Sequence, residues 1–126
     1  MNDIMNTIKM TKAPTTYREE RPWGSFERYT LNEPSTVKII TVKAGEAFSL
    51  QKHKGRDEWW KILEGDGKVT IGGDTKDIAV GKEYFVPRGT EHQIEAGRSA
   101  VKFLEISFGD FEEGDIVRIS DRYGRS

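Results

Sequence analysis

The sequence predicts an all-β domain, and three observations carry that prediction. Short runs rich in Val, Ile, Phe, Tyr and Trp recur after Pro22 and are punctuated by Gly, Asp and Pro. No helical period persists beyond about a turn. The whole chain has 126 residues, enough for one closed core. Strands are expected at 24–30, 36–44, 47–54, 58–65, 67–72, 75–80, 83–87, 91–96 and 100–109. Gly65-Asp66-Gly67 and Gly72-Gly73-Asp74 are tight-turn signals, because glycine supplies the positive φ that hairpin turns require. The segment "GDIVRISDRYGRS" fits either a strand or a short helix. Many short antiparallel strands hide their edges by closing into a barrel or by forming a double-sheet jelly roll.

Residues 1–20 are polar, contain Pro14 and show no sustained period, so they read as an N-terminal arm; residues 21–126 make the barrel. Exposed strand edges invite pairing, and a homodimer is expected in which the arm or an edge strand lies against the second subunit.

Composition excludes several classes. Charged residues are 33% of the chain but the net charge is only -1, which argues against a nucleic-acid binder. There is no apolar run of bilayer length and no secretory h-region, which points to a cytoplasmic protein without a membrane partner. Cysteine is absent, so any metal must take nitrogen and oxygen ligands.

The chain has two histidines, and both fall at turn-to-strand positions. Gln51 and His53 are two apart, so on a strand they share a face. Glu58 follows a bend at Lys54-Gly55, and His92 follows "VPRGTE". Gln51, His53, Glu58 and His92 together form an N2O2 set suited to Zn, Mn, Fe, Co or Ni, with positions open for substrate.

The spacing matches two motifs. "GEAFSLQKHKGRDEWWKILEG" resembles the first cupin motif, with Gln51 where the first His would stand and with His53, Glu58 and Gly65 in register. "GKEYFVPRGTEHQIEA" resembles the second, through Gly81, Pro87, Gly89 and His92, with Ala96 replacing the final Asn. The resemblance implies a single cupin barrel, a double-stranded β-helix of the jelly-roll kind. "RPWGSFERY", "RDEWW" and "DIVRISDRYGR" further resemble the isomerase domain of type II phosphomannose isomerases, in which Gln replaces the first cupin His. That resemblance implies Gln51, His53, Glu58 and His92 as ligands to a divalent ion, and Arg56 as an arginine associated with isomerase activity. Lys54, Gly55 and Trp59 depart from the histidine-richer family form.

The implied function is a metal-dependent isomerase interconverting mannose 6-phosphate and fructose 6-phosphate through an enediolate. The ion would act as Lewis acid, and Arg56 would bind phosphate or the developing oxyanion. Metal-bound hydroxide and Glu105 are both open as the base, Glu105 because an acid in a mostly apolar strand acquires a raised pKa. Arg118, Arg122 and Arg125 would reach phosphate if the tail folds over the barrel mouth. Trp59 and Trp60 should face opposite sides of their strand, and Lys52 should point away from the metal. Only 21 residues precede "PWGS" and no phosphate loop appears, so guanylyltransferase activity is not expected. The competing readings are a small cupin dioxygenase, which normally wants a third histidine, and a non-catalytic sugar-binding barrel.

Overall fold

A computed structural model describes residues 16–125. Most of the expected N-terminal arm, residues 1–15, lies outside the described residues. Eleven strands follow in order: β1 Tyr17–Arg21, β2 Gly24–Arg28, β3 Ser35–Val42, β4 Leu50–Lys52, β5 Arg56–Glu64, β6 Gly67–Ile71, β7 Asp74–Asp77, β8 Glu83–Val86, β9 His92–Ala96, β10 Val101–Gly109 and β11 Val117–Ser120. Two sheets face each other across the core, ordered β3-β10-β5-β8 and β11-β4-β9-β6-β7, while β1 and β2 form a separate hairpin. Every pairing is antiparallel, giving the double-sheet jelly roll.

Alternation explains which side chains are inside. On β10, Val101, Phe103, Glu105 and Ser107 are buried. On β5, Glu58, Trp60 and Ile62 point to the same interior. Trp60, Ile62, Phe103, Val101, Ile94, Val69 and Val86 form the apolar heart of the barrel. Each such side chain contributes roughly 1.5–3 kcal/mol on burial.

Trp59 and Trp60 do face opposite ways. Trp60 is fully enclosed, and Trp59 stacks on Tyr29 at 4.7 Å between ring centroids outside the sheet. Lys61, on the same outer face, bonds Glu27 at 2.8 Å and the Tyr29 hydroxyl at 3.0 Å, which ties the chain around β2 to β5.

The structure revises some sequence expectations. Gly72-Gly73 does close a two-residue hairpin between β6 and β7. Gly65-Asp66-Gly67 does not close a hairpin: β5 and β6 belong to different sheets, and this segment carries the chain across from one to the other. Gly65 has φ +100°, and a Cβ there would overlap the Ala100 carbonyl oxygen, so close backbone approach requires glycine. The strand expected over 47–54 contracts to β4, with Ala47 bridging Glu95 alone. The C-terminal segment resolves as a strand, β11, beside β4. Among the described residues no helix is long and apolar enough to cross a membrane.

Candidate metal centre

Topology brings the two sequence motifs together. β4 pairs with β9 so that Gln51 lies directly opposite His92. The chain then bends at Lys54-Gly55 and enters the facing sheet as β5, which carries Glu58. The centre thus sits between the sheets, with Gln51, His53 and His92 from one side and Glu58 and Glu105 from the other.

The nitrogen and oxygen atoms offered by His53, Glu58 and His92 all lie within 4.8 Å of one another, and all three residues are buried. His53 Nε2 is 3.4 Å from Glu58 Oε2, and His92 Nε2 is 3.7 Å from Glu58 Oε1. Each imidazole is oriented from behind. His53 Nδ1 donates to the Asp115 carbonyl at 2.6 Å, and His92 Nδ1 donates to the Thr90 carbonyl at 2.9 Å. Those bonds fix the tautomer that leaves Nε2 as an electron-pair donor. Burial pushes the His92 pKa down, toward the neutral form that ligates.

His92 Nε2 is buried and has no hydrogen-bond partner among the described residues. An orphaned buried nitrogen costs on the order of 1–3 kcal/mol unless something fills its lone pair. A divalent ion fits that atom, the nearby His53 Nε2 and the Glu58 carboxylate, in the nitrogen–oxygen combination usual for such ions.

Gln51 reaches the centre in a different manner from that expected. Its Oε1 accepts from the Ser49 hydroxyl at 2.6 Å, and its amide nitrogen faces His53 Nε2 at 3.4 Å. Turning the amide would present oxygen to an ion, and the Ser49 hydroxyl can accept from the amide nitrogen in exchange.

Arg56 is buried. Its Nε donates to Glu58 Oε2 at 3.1 Å, Nη1 donates to the Glu112 carbonyl at 3.1 Å, and Nη2 lies 3.3 Å from His53 Nε2. Its guanidinium carbon stacks 4.4 Å over the Phe111 ring. Trp60 Nε1 donates to Glu58 Oε1 at 3.2 Å, so Glu58 is held from two sides.

Glu105 is buried beside Glu58 and shares a hydrogen bond with it. Burial first, then the Glu58 charge and that bond, push its pKa up to about 8. Burial alone would raise Glu58 too; the two imidazoles and the hydrogen bonds from Glu105 and Arg56 outweigh it and hold Glu58 below its ordinary value. Glu105 also lines a cavity of about 170 Å³ with Ile40, Phe48, Gln51, Trp60 and His92.

Besides Ser49, sequence reasoning missed three supporting residues. The Asp115 carboxylate accepts from the backbone N–H groups of Lys54 at 2.9 Å and Gly55 at 2.8 Å, clamping the bend between His53 and Glu58. Asp57 is buried and accepts from Arg88 at its backbone nitrogen (2.7 Å), Nε and Nη2 (both 3.2 Å), which fixes the loop leading to His92. Ser107 is buried with no partner for its hydroxyl among the described residues, and it lies on β10 directly opposite Glu58. The expected tail arginines divide. Arg118 pairs in register with Gln51, whereas Arg122 binds the Gly45 carbonyl and Glu95, and Arg125 binds Asp121.

Fold and centre together define a cupin. The structure is similar to a cupin protein from Bacteroides fragilis, at TM-score 0.56 and 28% identity over 62% of this chain and 70% of that one. It is also similar to oxalate decarboxylase from Bacillus subtilis, at TM-score 0.63 and 27% identity over 69% of this chain and 24% of that one. Residues 9–121 match the family described as mannose-6-phosphate isomerase C-terminal, and the chain belongs to that family.

Relatives correct the expected reaction. The chain is 35% identical, over 99% of its length, to 28% of a mannose-1-phosphate guanylyltransferase from Escherichia coli K12. It is 41% identical, over 88% of its length, to 24% of a mannose-1-phosphate guanylyltransferase from Salmonella montevideo. The chain thus spans about a quarter of the length of these curated relatives. Their names are those of enzymes, but of a sugar nucleotidyltransferase, which overturns the reading as a mannose 6-phosphate–fructose 6-phosphate isomerase. The physical reason is that His53, Glu58, His92 and their supports form a braced cluster that could hold a metal ion. They mark the domain, and a brace of that kind does not specify proton transfer between sugar carbons.

Proposed function

We propose that this chain is the metal-holding cupin unit that accompanies guanylyl transfer to mannose 1-phosphate, and that its centre binds the mannose phosphate. The observation that carries this reading is the convergence of His53, Glu58 and His92 on one point, with His92 Nε2 buried and unpartnered. The relatives' names supply the ligand class.

In this reading His53 and His92 hold the ion through Nε2, Glu58 through its carboxylate and Gln51 through its amide oxygen. A divalent ion bound there supplies positive charge that polarises a sugar oxygen. The remaining steps belong to the chain's own residues. Arg56 and Trp60 fix the carboxylate of Glu58, so the ligand does not swing when the sugar arrives. The Glu105 carboxyl lines the small inner cavity, where it can hydrogen-bond a sugar hydroxyl. Ser107, whose hydroxyl is unpartnered, offers one more donor or acceptor beside Glu58.

Titration calorimetry with mannose 1-phosphate tests the reading. The metal-loaded protein should bind it saturably, and treatment with chelator should weaken binding by about tenfold or more, a change worth roughly 1.4 kcal/mol. Binding that is absent, or that is indifferent to the chelator, would contradict the reading.

A further inference from the structure

The inner cavity beside the ligands, at about 170 Å³, is smaller than the roughly 300–1,000 Å³ usual for small-molecule pockets. A second cavity of about 500 Å³ adjoins it. Ile40 and Phe48 line both, so their side chains form the partition between them. The Phe48 ring stands 6.5 Å from the His92 ring and 6.3 Å from Trp60 between centroids, on the threshold of the metal centre.

The walls of the outer cavity are chemically distinct from those of the inner one. Lys43, Glu46, Tyr123 and Arg125 line it. The C-terminal tail forms one wall because Arg122 donates to the Gly45 carbonyl at 2.8 Å and the Tyr123 hydroxyl donates to Glu46. Asp121 holds Arg125 at Nε (2.9 Å) and Nη2 (3.0 Å), which orders the guanidinium without using all of its donors. Lys43 is exposed and makes no ion pair among the described residues. A pair of cations bordering a cavity of this size, next to a smaller chamber lined by the polar side chains of Gln51, His92 and Glu105, matches a ligand with an anionic end and a polyol end.

Resting on the reading above, we propose that the outer cavity seats the phosphate of a phosphorylated sugar, against Lys43 and Arg125. The sugar ring then passes Phe48 and Ile40 toward His92 and Glu105. Phosphate suits these cations because its charge and three peripheral oxygens accept from both at once.

The experiment uses the metal-loaded full chain with mannose 1-phosphate, mannose and inorganic phosphate as separate probes, and metal content measured on every sample. Lys43→Glu reverses an exposed charge and should leave folding and metal content at wild-type levels. It should weaken mannose 1-phosphate by tenfold or more and leave mannose unchanged. Arg125→Gln should act in the same direction. Phe48→Trp enlarges the partition and should weaken mannose 1-phosphate while inorganic phosphate binds as in wild type. Wild-type affinity for mannose 1-phosphate in Lys43→Glu, or an equal loss for mannose, would overturn the phosphate seat. Wild-type affinity in Phe48→Trp would overturn the passage. Failure of the wild-type protein to bind mannose 1-phosphate while fully metal-loaded would overturn the proposal and leave the metal centre standing, whereas absence of metal would indict the centre itself.

Discussion

Arg56 shows how much one side chain decides at this centre. It is buried, donates to Glu58 and packs on Phe111. Removing it leaves the Glu58 carboxylate buried without its positive partner, which typically costs about 3–5 kcal/mol. Arg56→Ala should therefore destabilise the chelator-treated protein by on the order of 3 kcal/mol in urea titrations, and the metal-saturated protein by clearly less, since the ion neutralises the same carboxylate. Equal losses in the two forms would place Arg56 outside the electrostatics of the centre. His53, Glu58 and His92 were legible in the sequence because strand periodicity, a bend and the scarcity of histidine all point to them. Asp115, Asp57 and Ser49 were not. Each is an ordinary polar residue until folding brings it to its partner, and Asp115 meets Lys54 and Gly55 across 61 and 60 residues of chain. The Gln51 amide illustrates the same limit: spacing fixes the face it occupies, and its neighbour Ser49 fixes which atom points inward.

At the scale of elements, alternation located most of the strands, but local turn chemistry does not say which strand will be a partner. Gly65-Asp66-Gly67 reads as a hairpin and instead crosses between sheets, because its backbone is set by the opposing turn at 97–99. The Asp66 carboxylate accepts from the Ser99 hydroxyl and from the backbone N–H groups of Ser99 and Arg98. Those bonds hold its pKa below the ordinary value. A carboxyl depressed in the folded state contributes stability above its unfolded pKa of about 3.9 and loses it as pH falls through the folded pKa. Asp66→Ala should thus lower Tm at about pH 6, and the gap from wild type should close as pH falls below about 3. A gap that persists in acid would assign the turn's stability to something other than the ionised carboxylate. β1 escaped the sequence reading because "YREER" has no apolar alternation; its pairing with β2 is supported by cross-strand contacts such as Arg28 stacked 4.4 Å over Tyr17.

For the whole molecule, fold and family were readable from two motifs, and the reaction was not. A jelly roll with a candidate metal centre between its sheets hosts many chemistries, so motifs that suggest an isomerase in the sequence occur in a chain whose relatives are named for guanylyl transfer. The proposed function rests on the candidate metal centre. The most direct measurement is the metal content of purified wild type, His53→Ala, His92→Ala and Glu58→Gln by plasma mass spectrometry after dialysis against trace divalent ions. The account predicts about one ion per wild-type chain and a loss of affinity well beyond the roughly 10–100-fold that removal of a supporting partner gives, leaving each variant nearly empty. Full metal content in either histidine variant, or a wild-type chain that takes up no divalent ion, would contradict it.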